Sequence, residues 1–516
     1  MSEEAKKPFI SKKNLAFFAM VVGMFMAILD IQIVASSLPV IAAGLSATQE
    51  ELSWVQTAYI IAEVVIIPLT GFTAKLLSTR ISYLIATAGF TIMSVLCAFS
   101  STIESMILAR ALQGFFGGAM IPTVFAIVYI IFEPKERPVI MVMMGLVVTL
   151  APTLGPTLGG YITDILSWHF MFLINVIPGI LVCITIYLYA DFDKPDYSLI
   201  KNFDFLGVTL LITSLGCFQY ILEEGARKDW FENNTILALS LYVFLGLSVL
   251  IYHELTTKKP ILDLYAFIDT NFRYGCILSG VLGVGLYGSV FLLPIFLGRA
   301  AGLNTIQIGV IMAVMGVSQF LSAPIAGKMM EKNFDRRIMM GFGIGLFGIG
   351  CYVNSFMTHE TRFDELILPQ FIRGFSLMFC FVPINDLTLG TLGKDKVQDA
   401  SGLYNLMRNL GGAFGLAIIN SNITNSIVIN RDILSSNISS TSQMADNSLG
   451  FFEYMIGSHL RDPQIGSIEI LNNFILRDSF IIAINNMFSY LAVIFFLSMI
   501  LIFFTKNTKQ VEANVH

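Results

Sequence analysis

Charge is scarce in this chain. Asp, Glu, Lys and Arg make up 13% of its 516 residues, roughly half the share usual in soluble proteins. Histidine is scarcer still, with five residues at 169, 253, 359, 459 and 516, all expected in loops or tails. The six cysteines, at 97, 183, 217, 276, 351 and 380, form no CxxC pair and no Cys/His cluster. That pattern points away from a metal site and from a disulfide framework. No GxxxxGK[ST] loop is present, so no bound nucleotide is expected to supply energy. Nothing suggests an enzyme, a cofactor or a nucleic-acid partner.

What is present is apolar. Hydrophobic residues are 55% of the chain, too much surface for one water-soluble core but not for a protein solvated by lipid. A membrane-spanning helix needs roughly 20 mostly apolar residues. Such runs fall near 15–39, 54–73, 81–101, 104–131, 139–163, 170–190, 205–222 and 235–252. Six more lie near 274–297, 303–326, 338–357, 367–390, 398–428 and 479–504. The sequence therefore predicts an all-α membrane protein of about fourteen transmembrane helices. Between the last two runs, residues 430–478 are rich in Ser, Asn and Asp and are expected as a long outer loop, either a folded cap or mobile.

Lys6, Lys7, Lys12 and Lys13 precede the first run without a small-residue cleavage pattern, so that run reads as an anchor that stays. Positive residues gather in alternate connections, among them Lys75, Arg80, Lys135, Arg137, Lys328, Lys332, Arg336 and Arg337. By the positive-inside rule these segments and both termini are expected in the cytoplasm.

Weak internal similarity suggests a repeat. Pro68-Leu-Thr-Gly71 ends the second run and Pro324-Ile-Ala-Gly327 ends the tenth; Arg110-Ala-Leu-Gln113-Gly114-Phe115 in the fourth has a counterpart in Gln370-Phe-Ile-Arg373-Gly374-Phe375 of the twelfth. The separations are nearly equal. They fit a six-helix bundle over 1–190, two inserted helices over 191–270, and a second six-helix bundle over 271–516. Two six-helix halves with a site between them are a plan for alternating access.

These residues resemble the major facilitator superfamily, and more narrowly its fourteen-span drug/proton antiporters. Leu29-Asp30-Ile-Gln-Ile-Val-Ala-Ser-Ser-Leu38-Pro39 is similar to the first-helix signature, departing at Gln32 and Ser36. Arg110, Gln113, Gly114 and Gly117 match the fourth-helix motif. Gly145, Ala151-Pro152 and Gly155-Pro156-Thr-Leu-Gly159-Gly160 match the fifth-helix motif associated with antiport. Trp168, Phe172, Asn175 and Pro178 match the opening of span six. Ala400-Ser-Gly402-Leu-Tyr-Asn405 with Arg408, Gly411-Gly412 and Gly415 matches span thirteen, and Glu223-Glu224-Gly225 to Trp230-Phe231 the loop between the inserted helices. Lys75 and Ser78 stand where the family usually has an acid and a glycine, and His169 stands for an arginine, so the family's usual charge lock in the loop after span two is not implied. The resemblance implies a bacterial inner-membrane exporter of drugs or toxic amphipathic molecules. It also implies a periplasmic adaptor protein and an outer-membrane channel as partners, beside membrane lipid and the small-molecule substrates.

An ionisable group inside a span is a functional candidate, because burying it costs several kcal/mol. The candidates are Asp30, Glu63, Asp386, Arg110, Arg373 and Arg408. With no histidine expected in a span, proton coupling falls to carboxylates, which bind protons more readily when desolvated. Asp30 and Arg110 lie at matching depths and are expected to pair, either as a switch that a proton or cationic substrate competes for, or as a static clamp. At about 100° per residue, Gln56, Tyr59, Glu63 and Thr70 share a face, and Glu63 is expected in the cavity as proton acceptor, cation binder or both. Arg408 shares a face with Ser401, Tyr404 and Asn405. The expected cavity set is Asp30, Gln56, Tyr59, Glu63, Gln113, Asn405 and Arg408. Arg373 is expected to bond backbone carbonyls, and Asp386 to be a solvated helix-end residue. Gly145, Pro152, Gly155, Pro156, Gly159 and Gly160 are expected to gate through close packing and a proline kink.

Two other functions fit less of this pattern: an exporter dedicated to one endogenous metabolite, such as a siderophore or lipid-like compound, and a receptor or scaffold on a degenerate transporter fold. Retained charges in spans one, two and four speak against the scaffold.

Overall fold

The computed structural model describes residues 12–257, 260–436, 438, 443–456 and 462–506. Among them fourteen helices are long and apolar enough to cross a membrane. They are α1 (Lys12–Leu45), α2 (Gln49–Ile66, a 3₁₀ turn Ile67–Leu69, then Thr70–Leu77), α3 (Thr79–Ala98), α4 (Ile103–Ile131) and α5 (Arg137–Ile165). After α6 (His169–Tyr189) come α7 (Phe205–Glu224), α8 (Asn234–Thr256), α9 (Thr270–Arg299) and α10 (Thr305–Glu331). The last four are α11 (Arg336–Asn354), α12 (Phe363–Leu389), α13 (Lys394–Ser436) and α14 (Pro463–Ile502). Because the helices alternate in direction, α1 begins and α14 finishes at one end of the bundle, here the near end.

Local chemistry sets the ends of several helices. Thr48 caps α2 while Glu51 returns a bond to the Thr48 amide at 2.9 Å, and Asn304 with Gln307 does the same for α10. Each is a capping box that satisfies donors no helix can pair internally. Pro68 has no amide to donate, and α2 tightens into its 3₁₀ turn there.

Packing follows the repeat. Contacts α1·α5, α2·α4, α3·α4, α3·α6 and α1·α6 have counterparts in α9·α13, α10·α12, α11·α12, α11·α14 and α9·α14. Gly114 of α4 lies so close to the Tyr59 carbonyl of α2 that a side chain would collide, and Gly374 of α12 meets the Met315 carbonyl of α10 in the same way. The halves meet along α5·α10 and along α13 with α2 and α4. In the second seam, the near part of α2 packs on α13, whereas its far part leans on α7.

The near end is closed across the seam. Lys75 Nζ pairs with Asp399 of α13 at 2.5 Å, Ser401 donates to the Pro122 carbonyl at 3.1 Å, and Tyr129 donates to Asn385 at 3.2 Å. The linker before α7 lies over this region: the Asp196 amide donates to the Lys75 carbonyl at 3.0 Å and Asp193 accepts from the Thr79 amide at 2.8 Å.

The placement of the histidines changes, and the segment 430–478 takes the folded of its two expected forms. Much of 430–478 is helix, since α13 runs 43 residues and α14 runs 40, and helix Gln443–Ile456 packs on α14 with Phe452 stacked on Phe474 at 5.7 Å. The polarity of these segments excludes a long apolar run but not a helix. His253 lies in the last turn of α8, paired with Asp204 at 2.7 Å, and His169 opens α6; His459 and His516 fall outside the described residues. Helix α5 runs from Arg137 to Ile165 with Pro152 and Pro156 inside it.

Candidate functional site

The expected cavity residues fall into three groups. The first is a sealed cluster inside α1–α6. Asp30 is 1% exposed and accepts three hydrogen bonds: from Arg110 Nη1 at 2.5 Å, Asn175 Nδ2 at 2.7 Å and Gln113 Nε2 at 3.1 Å. Arg110 and Gln113, three apart on α4, share a face and also bond each other at 2.7 Å. Ser94 of α3 accepts from both amides, and Arg110 Nε donates to the Val55 carbonyl at 3.1 Å. The Arg110 guanidinium lies 4.2 Å from the centre of the Tyr59 ring, a cation–π contact. The expected Asp30–Arg110 pair is present. Asp30 and Arg110 compensate each other's charge, while Arg110 Nη2 is buried without a hydrogen-bond partner.

The second group opens onto a pocket between the halves. Glu63 and Gln56 of α2, Gln32 of α1, Glu223 of α7, Tyr287 of α9 and Asn409 of α13 supply its polar wall. Ile31, Ile60, Val64 and Leu416 supply much of its apolar wall. Glu63 is 4% exposed, and Asn409 Nδ2 donates to its Oε1 at 3.1 Å across the seam.

The third group is Arg408, whose Nη2 donates to Asn405 at 2.6 Å while the guanidinium lies over Phe125 and Phe381 at 5.4 and 5.9 Å. Its Nε and Nη1 are buried without a hydrogen-bond partner.

Gln56 and Glu63 thus line the pocket, whereas Asp30, Tyr59, Gln113, Asn405 and Arg408 do not. The reason is angular. Gln56 and Glu63 are seven residues apart and point almost the same way, whereas Tyr59 sits about 60° round the helix and meets Arg110 instead. Arg373 also departs from expectation. It is wholly buried, and its one hydrogen-bonded amine donates to the Gln370 side chain at 2.5 Å rather than to a carbonyl. Asp386 is ion-paired with Arg336 at 3.2 Å rather than simply solvated.

The gating residues concentrate where α5 meets its neighbours. Gly155 abuts Gln32 of α1, and Gly145 abuts Phe381 of α12. Pro152, Gly159 and Gly160 are buried and Pro156 is half-buried. Between the glycines, Thr149 Oγ1 lies 2.7 Å from Gln319 Oε1 of α10.

Asn175 was visible as a motif residue, but its bond to Asp30 was not. Neither Asn409, beside Arg408, nor Asp399 carries a sequence signal for its partner across the seam.

A polytopic bundle with two matched six-helix halves and a pocket between them defines a membrane transporter of the major-facilitator plan. The Major Facilitator Superfamily model matches residues 20–416, and the chain belongs to that superfamily. Among its relatives is the colistin resistance protein EmrB of Acinetobacter baumannii, 42% identical over 81% of this chain and 82% of that one. The multidrug export protein EmrB of Escherichia coli is 30% identical over 79% of each, and the fatty acid resistance protein FarB of Neisseria gonorrhoeae 28% over 92% of each. The human organic anion transporter MFSD10 (TETRAN) shares the fold, with a TM-score of 0.57 at 14% identity, covering 96% of this chain and 100% of that one.

Proposed function

We propose that the chain is a proton-coupled antiporter that exports drugs or toxic amphipathic molecules across a bacterial inner membrane. The near end and both termini face the cytoplasm in this reading. Glu63 carries it: a buried acid on the pocket wall, hydrogen-bonded across the seam to Asn409. A proton or a cation on Glu63 changes what that bond is worth, and so biases how the halves sit against each other. The Asp30–Arg110 cluster is a second proton-sensitive element, since a proton on Asp30 would release Arg110. The α5 glycines and prolines serve as a gate beside it. The resistance named for the relatives supports the cargo class, and residues 1–190, 191–270 and 271–516 are the proposed domains.

One proton moving down about 150 mV releases roughly 3.5 kcal/mol, enough for a few-hundred-fold gradient at about 1.4 kcal/mol per tenfold. A periplasmic adaptor and an outer-membrane channel complete the proposed pump, with the far-end extensions of α13 and α14 as the element they would meet.

Transport by the purified chain in vesicles with an imposed proton gradient tests this. Wild type should accumulate several unrelated amphipathic dyes, and Glu63→Gln should lose gradient-driven transport. Retained coupling in both Glu63→Gln and Asp30→Asn would remove these acids from the mechanism. Transport of a single metabolite and of no dye would favour the dedicated exporter.

A further inference from the structure

The repeat places an arginine–glutamine pair in each half, but only the first half supplies a counter-charge. There Arg110 bonds Gln113 and is balanced by Asp30. In the second half the residue order is exchanged, and Arg373 Nη2 donates to Gln370 Oε1 at 2.5 Å. Helices α9 and α11 contain no acid, and the one acid of α10 is Glu331, its last residue. On α12, Asp364 and Glu365 lie exposed in the first turn and Asp386 pairs with Arg336. On α14, Glu469 is exposed and Asp478 pairs with Arg477.

Arg373 is wholly buried, and its Nε and Nη1 have no hydrogen-bond partner. Gly350 of α11 leaves no room for a side chain beside the arginine stem, and Cys351 adjoins the guanidinium. Phe488 of α14 lies 5.4 Å away. A thiol is only a weak acceptor, and a ring face offsets only part of a charge. One helical turn towards the far end stand three amides: Gln370, three residues from Arg373; Asn354, four from Gly350; and Asn485, three from Phe488. Gln370 Nε2, both polar atoms of Asn354 and Asn485 Oδ1 are also without partners. Asn485 is half-buried and donates to the Met357 carbonyl at 2.7 Å, which ties this layer to the far-end turn after α11.

A guanidinium stays charged in a protein, and a buried charge without a partner is costly. Water among the amides would satisfy donors but leave that charge standing. An anion answers both needs. Four unpartnered donors are available to it from two adjacent helices: Arg373 Nε and Nη1, Gln370 Nε2 and Asn354 Nδ2.

We propose that the second half binds one small monovalent anion, such as chloride, between Arg373 and the Gln370–Asn354 layer. The first half carries its counter-charge as Asp30, and the second borrows one from solution. Without the halide the Arg373 guanidinium stands uncompensated. Nothing in this depends on what the pocket between the halves carries.

The test is thermal unfolding of the purified full chain in detergent, in sodium chloride, sodium bromide or sodium gluconate at equal ionic strength. A ligand that binds only the folded protein raises its melting temperature, so wild type should melt roughly 3 °C or more higher in chloride than in gluconate. Bromide should act as chloride does, and Arg373→Met should melt at one temperature in all three salts. Arg408→Met, which removes another buried guanidinium with unpartnered nitrogens, should keep the wild-type difference. If Arg373→Met does not fold, anomalous diffraction from wild-type crystals in bromide takes its place, with a peak expected beside Arg373. Equal melting of wild type in chloride and gluconate is the outcome for bound water alone and overturns the proposal. So does an unchanged chloride effect in folded Arg373→Met, its loss in folded Arg408→Met, or no bromide peak at Arg373.

Discussion

Lys75, near the end of α2, holds Asp399 of α13 at 2.5 Å, an ion pair joining the two halves at the near end. The family's usual acid in this loop is absent, and the acid stands on the opposite half. The pair is partly exposed, with side chains 32% and 18% accessible, so it contributes about 1 kcal/mol or less. That still shifts a balanced two-state equilibrium a few-fold. Lys75→Asp should open the near end and Asp399→Lys should do likewise, with the double exchange restoring closure. Thiol labelling of Ser401→Cys, at a buried position beside the seam, should speed up in each single variant and return to the starting rate in the double one. Equal labelling in all four proteins would show that the pair is no latch.

Arg110 and Arg373 occupy related places in the repeat and should respond oppositely to replacement. Arg110 is paired with buried Asp30, so Arg110→Met leaves a carboxylate uncompensated and should cost about 3–5 kcal/mol. Among the described residues no carboxylate pairs with Arg373, which lies over Phe488 at 5.4 Å. Arg373→Met removes an uncompensated buried charge and should be neutral or stabilising. Thermal unfolding in one detergent compares the two directly.

Asn409 donates to Glu63 across the seam at 3.1 Å. Asn409→Leu should leave folding intact, since the residue borders a pocket rather than a packed core, and should weaken coupling. We expect proton flux and dye flux in vesicles to lose their fixed ratio, whereas a mere binding defect would lower both together.

At Gly155 a side chain would overlap Gln32 of the neighbouring helix. Gly155→Val should destabilise by about 1–3 kcal/mol through overpacking and slow transport more than Gly160→Ala. Turnover normalised to folded protein separates the two effects.

The fourteen spans were legible because lipid demands long apolar runs, and the Asp30–Arg110 pair because two isolated charges at one depth have few other partners. Lys75–Asp399, Glu63–Asn409 and the placing of Glu223 were not legible. Each joins helices far apart in the chain, and the rotation of one helix about its axis against another leaves no local trace. The single cavity expected for seven residues divided for the same reason: a polar stripe is wide enough for its two edges to face different neighbours. The choice between a folded cap and a mobile segment at 430–478 was not legible, because hydropathy carries no signal for a polar helix.

At 43 residues, α13 measures about 65 Å, against a hydrocarbon thickness of about 30 Å. If the halves rock as proposed above, it acts as a lever pivoting inside the bilayer. Swinging it by about 10° would carry the tip sideways by roughly 7 Å for an arm of about 40 Å. Anything resting on that tip would register each turnover as a mechanical stroke well clear of the lipid.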